Sequence, residues 1–504
     1  MSGPDVLRPM SSAPSVSDPT ADASEDQPLL WPRPEGEIIR SSESRSSSHD
    51  DDVEKRLGRV LPLAFAAGLA LAATSAATVL AYSRILCLGD LDQSRCEGRH
   101  QQYYFYVDSF DALRTIASSL GVLSVGVARI WAGSDPRLVL GVWLGLRALG
   151  VGVLLLGVLL DNIYIAVWGS IVDGLASTHV LHFALAAVYA QTRDPRRFSR
   201  LMGTSLALYL LGVSVNPTAT SWLFPNLWLS FGAAFAILGL SHVYLRVAVF
   251  PSEAFSGARG DAVGARTATT IASKFLDPVY HLYAEPAVRL PALALLLHNC
   301  AQSCLFTAIV MHTWLDFDLT ARLSNRLSTI ATAAPATYLL LFFYGVPKLQ
   351  QAWKRRARNA RGEGQVADAD ADADTEAAAS TPRFPPPSAR DLVCAIVCML
   401  AQLIAVPWFL VDSPGAMYGL VAVASVGFAA PSFLKSYAVS RVAAANKASS
   451  ALGALALTES VGSLVTPFLL GGLWFWKTQI FILTPSLLGA SVVCLGASYF
   501  VWRQ

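Results

Sequence analysis

Charged residues are scarce in this chain. Asp, Glu, Lys and Arg make up 15% of its 504 residues, whereas hydrophobic residues make up 53%. Soluble globular domains are about 25% charged, so this composition excludes an ordinary soluble protein. We therefore expect an integral membrane protein, with the lipid bilayer as its first partner.

The chain also lacks the local motifs of the common enzyme classes. It has no Gly-rich phosphate loop, no paired metal-ligand motif and no nucleophile with a base at usable spacing. Its formal net charge of +2 says little about partners, because the charges are segregated by loop. We predict that the protein is not an enzyme, holds no cofactor or metal ion and binds no nucleic acid.

Apolar segments recur along the chain. A helix needs about 20 mainly apolar residues to cross the hydrocarbon core of a bilayer. Twelve segments meet this need, at roughly 60–83, 108–131, 138–160, 163–188, 201–222, 227–249, 288–312, 323–346, 391–411, 415–434, 449–474 and 478–501. The predicted fold class is an all-α membrane protein with twelve transmembrane helices in two six-helix bundles.

Lys and Arg residues predict the orientation. They are frequent in the N-terminal tail and in the connections that follow even-numbered spans, and they are rare in most of the opposite loops. Cytoplasmic segments carry this excess of positive charge. The pattern places Lys435 in such a connection, after span ten, together with Arg441 and Lys447. Both termini are therefore predicted to be cytoplasmic.

Polar segments divide the chain. Residues 1–57 are rich in Ser, Pro and Asp, which predicts a disordered cytoplasmic tail. A cytoplasmic linker at 251–287 separates an N-terminal bundle, 58–250, from a C-terminal bundle, 288–502, which contains a disordered loop at 349–389. Two halves of six spans are typical of transporters built from repeats.

Two short features concern the compartment. The tail contains EDQPLL, in which Glu25, Leu29 and Leu30 match an acidic-dileucine pattern that sorting adaptors read. Cys87 and Cys96 lie in the first outer loop, where a disulfide is permitted, and the sequence leaves open whether they are bridged. The other cysteines fall inside spans and are expected to pack between helices: Cys300, Cys304, Cys394, Cys398 and Cys494.

The fifth span contains residues that weaken a helix. It reads GTSLALYLLGVSVNP from Gly203 to Pro217. Pro217 removes a backbone donor and predicts a kink, and Gly212 lets a neighbouring helix approach closely. Gly203 is nine residues from Gly212, so the two glycines face opposite sides of the helix.

This stretch resembles the antiporter signature of the major facilitator superfamily. Gly203, Gly212 and Pro217 match its spacing, while Asn216 stands where the family has Gly. The resemblance extends over residues 58–502. Within it, 457–474 resembles the eleventh helix of a fungal branch associated with secondary-metabolite export. The resemblance implies two bundles that rock around a site at the membrane midplane, and export by proton antiport.

Two departures from the family pattern bear on mechanism. Ile130 and Trp131 replace the Asp-Arg pair of the loop between helices two and three. Ser170 occupies the position, four residues before Gly174, where drug exporters of the family commonly carry an Arg. A proton-coupled mechanism that depends on that Arg is therefore not predicted.

Charged residues inside the spans are candidate functional residues, because each is unfavourable in lipid by at least about 2.5 kcal/mol. Arg147 and Asp173 lie at comparable depths in spans three and four, and we predict that they form an ion pair. Glu459 in span eleven is the best candidate for a coupling carboxylate, since a carboxyl at that depth can take up and release a proton.

Histidines add further candidates. His179 and His182 lie about 60° apart on span four, and the sequence leaves cavity lining, packing and metal binding open for them. His298 on span seven is a second-rank candidate that would face the cavity. Asp108, Asp111 and Arg114, near the outer end of span two, are expected to anchor or gate the outer mouth.

The function predicted is a secondary active transporter of a small organic solute, with proton-coupled efflux of a fungal metabolite or drug across the plasma membrane. One alternative is an uptake carrier, or a carrier in a vacuolar, peroxisomal or other organelle membrane, which the EDQPLL pattern favours. A second alternative is a membrane receptor or scaffold that keeps the fold without transport.

Overall fold

Helices account for almost every residue that the structure describes. In this computed structural model the described residues are 57–86, 113–124, 136–189, 194–223, 227–249, 279–280, 282–317, 321–360, 387–410, 414–442, 445–470 and 477–503. The tail with Glu25, Leu29 and Leu30, the loop with Cys87 and Cys96, and the side chain of Cys304 lie outside them. So do Asp108, Asp111, Ile130 and Trp131.

The first half of the chain forms helices at the predicted spans. Those in its described part are α1 (Leu61–Leu86), α2 (113–124), α3 (Pro136–Leu159), α4 (Ile163–Leu175), α5 (Thr178–Tyr189), α6 (Pro195–Leu223) and α7 (Leu227–Tyr244), which a π-helical turn (Leu245–Val249) extends.

The second half follows the same pattern. Its described helices are α8 (Pro286–Phe317), α9 (Ala321–Leu340), α10 (Val346–Ala360), α11 (Pro387–Ala405), α12 (Pro414–Ser425), α13 (Ala430–Arg441), α14 (Ala445–Leu470) and α15 (Lys477–Arg503). A π-helical turn (Leu341–Gly345) joins α9 to α10, and 3-10 turns at Val406–Leu410 and Val426–Ala429 extend α11 and join α12 to α13.

The length and composition of these helices suit a membrane. Eight helical stretches of the described residues are long and apolar enough to cross one, namely Leu138–Leu159, Ile163–Tyr189, Arg196–Val215, Trp228–Val247, Arg326–Trp353, Ala389–Leu410, Gly415–Arg441 and Phe481–Val501. The prediction of a helical multi-pass membrane protein is thus confirmed.

The hydrophobic core follows the two halves of the chain. One cluster of buried residues is drawn almost wholly from residues 57–249, and two others almost wholly from residues 288–495. The halves meet where α6 packs against α9 and α13, and where α5 packs against α14. Side chains from both halves therefore face each other at α5, α6, α13 and α14.

Span four is broken, whereas the sequence predicts one helix over 163–188. α4 ends at Leu175, and Ala176 leaves the helical conformation with φ −99° and ψ 38°. Ser177 then accepts the first hydrogen bond of α5 through its carbonyl oxygen, which also accepts a bond from Trp143 Nε1 at 3.1 Å. Its hydroxyl lies 2.6 Å from that of Ser118. These contacts hold the break in place.

Two helices extend beyond their predicted ends. α10 continues to Ala360, although the sequence predicts a disordered loop from 349, because its Lys, Arg, Gln and Ala residues are strong helix formers. α13 continues to Arg441, although the predicted end of span ten is 434. Lys435 therefore lies inside a helix and not in a connection.

Candidate functional site

A buried ion pair joins α13 to α14. The Nζ atom of Lys435 donates to Oε2 of Glu459 at 2.6 Å, and the two side chains are 6% and 5% exposed. A single charge buried in this way is strongly unfavourable, whereas a paired one is tolerated. Each residue therefore supplies the partner that the other requires.

Neighbouring polar groups fix the backbone that carries Glu459. The amide of Asn299, on α8, donates to the Glu459 carbonyl oxygen and to Ser463 Oγ. Next to it, Cys300 Sγ lies 3.3 Å from the Gly462 carbonyl oxygen. Because Gly462 has no Cβ, α8 and α14 come close enough to form these bonds.

His179 brings the other half of the chain to this ion pair. It lies in the first turn of α5, directly after the break in span four, and its Nδ1 is 3.6 Å from Glu459 Oε2. Its side chain is 27% exposed, the largest exposure of the three. Glu459 thus faces a cation in its own half and an imidazole from the opposite half.

His182 has a different neighbour. Its ring meets that of Tyr209, on α6, edge-on at a centroid distance of 4.9 Å, and Tyr209 Oη lies 2.9 Å from Thr178 Oγ1. His179 contacts the ion pair directly, whereas the ring of His182 packs on Tyr209.

A second charge cluster lies in the first half. Asp173, on α4, accepts from Arg147 on α3, so the predicted ion pair is present. Arg114, on α2, also reaches Asp173, with Nε 3.0 Å from Oδ2. The sequence predicts Arg114 as an anchor or gate of the outer mouth, but it binds the same carboxylate as Arg147. Gly150 permits this arrangement, because a Cβ there would lie 2.9 Å from the Asp173 backbone nitrogen.

The fifth-span glycines contact two different neighbours, as predicted from their spacing. A Cβ at Gly212 would collide with the backbone of α1 at Phe65 and Leu69. A Cβ at Gly203 would collide with the ring of Phe343, which belongs to the second half. Beside it, Thr204 Oγ1 donates to Tyr344 Oη at 3.1 Å. Asn216 and Pro217 lie within α6, and the kink at Pro217 stays a prediction.

Comparisons with known proteins concern the fold. No protein-family model and no curated protein matches the sequence. Solved structures do match. The human organic anion transporter MFSD10 (TETRAN) superposes with a TM-score of 0.61 at 13% identity, covering 87% of this chain and 99% of that one. The chain has the major facilitator fold.

Two further structures share this major facilitator fold. FucP, the E. coli fucose:proton symporter, in its outward conformation, gives a TM-score of 0.60 at 9% identity, covering 88% of this chain and 98% of that one. A bacterial homologue of the iron transporter ferroportin, in an outward-facing state, gives 0.60 at 12% identity, covering 89% and 99%.

His298 is fully buried in the second half, beside Gly427. Its predicted place at the cavity stays a prediction. Its polar neighbourhood includes Gln402, whose amide donates to Gln302.

Lys435 is the site residue that sequence reasoning missed. A basic residue directly after an apolar run is typical of a cytoplasmic loop end, which is why the charge pattern places Lys435 in a connection. The sequence did contain an opposing signal, because AAPSFLKSYAVSR holds no Gly, Pro, Asn or Asp after Lys435. A helix that continues past Lys435 requires a buried partner for it, and Glu459 supplies that partner.

Proposed function

We propose that this protein is a secondary transporter that moves a small organic solute by alternating access, with Lys435, Glu459 and His179 as its coupling site. One observation carries the proposal. Glu459 is held at once by Lys435 in its own half and by His179 from the other half. Any movement that separates the halves here must break the contact between Glu459 and His179.

This arrangement suits coupling to protons. A proton bound to Glu459 removes the negative charge that attracts Lys435 and faces the imidazole of His179. The contact across the halves then weakens, so protonation and the relative movement of the halves become linked. Conversely, loss of the proton restores both interactions and favours the arrangement that the structure contains.

The remaining parts of the proposal concern topology and direction. We assign twelve spans, cytoplasmic termini, two six-helix bundles at 58–250 and 288–502, and a linker at 251–287. The fifth-span motif supports export of a metabolite across the plasma membrane. The EDQPLL pattern supports the rival assignment to an organelle, and a non-transporting receptor or scaffold is the outcome if no solute moves.

Proteoliposomes that contain the full-length protein test this function and identify the solute in the same experiment. Fractions of cell extract and culture medium from the host are added outside, with and without an imposed proton gradient, and mass spectrometry identifies the solutes trapped inside. The comparison uses wild type, Glu459→Gln and a matched carboxyl-to-amide control, Asp161→Asn. Asp161 is exposed and has φ 45°, a conformation that Asn tolerates.

With wild type and Asp161→Asn, we expect at least one solute to accumulate against its gradient when a proton gradient is imposed. With Glu459→Gln, the proton gradient should not change the amount of solute that accumulates. Equal proton dependence in Glu459→Gln would remove Glu459 from the coupling role. Absence of any protein-dependent solute with wild type would leave the receptor or scaffold.

A further inference from the structure

The helix that follows span eight, α10, takes no part in the ion pairs at Glu459 and Asp173. Apolar side chains of α10 recur at Val346, Leu349 and Trp353, a spacing that places them on one side of the helix. Leu349 is 60% and Trp353 is 73% exposed. This apolar side of α10 is therefore open to the surroundings of the protein.

Basic side chains occupy the opposite side of the same helix. Lys348 and Arg355 lie roughly 140–160° round the helix axis from Trp353, at 100° per residue. Arg356 flanks the apolar side. All three basic side chains are exposed. α10 thus combines an apolar side with a basic one, which suits the surface of a membrane that carries negative charge.

The position of α10 along its span places it at such a surface. The apolar helical stretch runs from Arg326 to Trp353. At 1.5 Å per residue it is about 40 Å long, which equals the thickness of a bilayer with its headgroups. Trp353 and the neighbouring basic residues then lie at the level of the lipid headgroups.

We propose that α10 binds anionic phospholipids. Leu349 and Trp353 lie at the boundary between headgroups and acyl chains, while Lys348, Arg355 and Arg356 pair with the negatively charged headgroups. In the orientation proposed above, this lipid lies in the cytoplasmic leaflet. The assignment of the leaflet rests on that orientation, whereas the class of lipid does not. The proposal holds whether or not the protein transports a solute.

The same chain contains a segment that competes with lipid for the basic side of α10. The repeat ADADADAD at 367–374 is acidic and follows α10 closely in sequence. It can neutralise the basic side chains, but its alanines offer little apolar surface to Leu349 and Trp353. A lipid provides a negative headgroup for the basic side of α10 and an acyl chain for its apolar side. The two sides together therefore favour a lipid over the acidic repeat.

Lipid bound to α10 would also act on the contact between the halves. α10 is continuous, through the π-helical turn Leu341–Gly345, with α9. That turn contains Phe343, which packs on Gly203 in the first half, and Tyr344, which bonds to Thr204. Lipids that hold α10 at the membrane surface thereby hold the turn that meets the first half.

Native mass spectrometry of the full-length protein tests the proposal. The purified protein is incubated with equal amounts of phosphatidylcholine and phosphatidylserine, and the retained lipids are counted. The test variant is Lys348→Gln/Arg355→Gln/Arg356→Gln. The matched control removes the same charge from exposed residues elsewhere, in Arg196→Gln/Arg200→Gln/Arg441→Gln. A third variant deletes residues 367–374.

We expect wild type and control to prefer phosphatidylserine, and the α10 variant to lose that preference about tenfold or more. An equal loss in the control would show that net charge, and not α10, selects the lipid, and would overturn the proposal. A preference that appears only after deletion of 367–374 would identify the acidic repeat as the occupant of α10, and would overturn it too. All variants should keep the elution profile of wild type on size exclusion.

Discussion

Lys435 Nζ and Glu459 Oε2 lie 2.6 Å apart, and neither side chain is more than 6% exposed. The two charges come from different helices of the second half, and His179 of the first half approaches the same carboxylate oxygen. Removal of either charge leaves the other buried without its main partner. Variants that remove one charge, or both charges, of this pair can therefore separate its effect on stability from its effect on transport.

The first prediction is that single substitutions at this pair are more harmful to stability than the double one. Glu459→Gln or Lys435→Met should each lower the free energy of unfolding by about 3–5 kcal/mol, because an unpaired charge remains. Glu459→Gln/Lys435→Met should recover most of that loss yet remain inactive in transport. Thermal and denaturant unfolding in detergent measures the stabilities, and two losses that simply add would contradict the interpretation.

The second prediction compares the two arginines on Asp173. Arg147 is 5% exposed, whereas Arg114 is 40% exposed. Arg147→Gln leaves the Asp173 carboxylate without its buried partner and should destabilise by about 3–5 kcal/mol. Arg114→Gln should destabilise less, because Asp173 keeps its buried partner Arg147. Melting curves of both variants check this order. A larger loss of stability for Arg114→Gln than for Arg147→Gln would contradict the prediction.

The third prediction concerns the packing of α1 on α6. A Cβ at Gly212 meets backbone atoms of α1, which cannot move independently of the helix, so Gly212→Ala should destabilise by about 1–3 kcal/mol. Gly239→Ala on α7 is the matched control, because nothing lies within 4 Å of a Cβ there. It should be neutral or stabilise by up to about 1 kcal/mol. Equal melting temperatures for the two variants would disprove the close contact.

The fourth prediction concerns the contact between the halves at α6. Gly203→Ala places a methyl group where the ring of Phe343 lies. The ring must move away, so hydrogen exchange of peptides that span Leu341–Gly345 should become faster and transport slower. Gly203→Ala/Phe343→Ala should restore slow exchange, because the smaller side chain makes room. If Phe343→Ala does not restore slow exchange in the Gly203→Ala protein, the collision with the Phe343 ring is not the cause of the effect.

Sequence reasoning succeeded where the signal is local. Long apolar runs predicted the helices, because each run must bury its own backbone polar groups in lipid whatever its neighbours are. The ion pair between Arg147 and Asp173 could be predicted because adjacent spans of known length place them at similar depths. The opposite directions of Gly203 and Gly212 followed from helix periodicity alone.

It failed where the outcome depends on contacts between distant segments. The break at Ser177 is held by Ser118 and Trp143, which come from two other helices. The burial of His298 depends on helices that pack around it. Neither environment can be read from the local run of residues.

By itself, then, the sequence determined the apolar helices, the likeness to major facilitator proteins and three of the charges that lie inside those helices, namely Arg147, Asp173 and Glu459. Only the tertiary structure decided which of those charges meet, placing Lys435 and His179 on Glu459, and Arg114 beside Arg147 on Asp173. The physical reason is that hydropathy and periodicity are properties of one helix, whereas a partner depends on the rotation and depth of one helix relative to another.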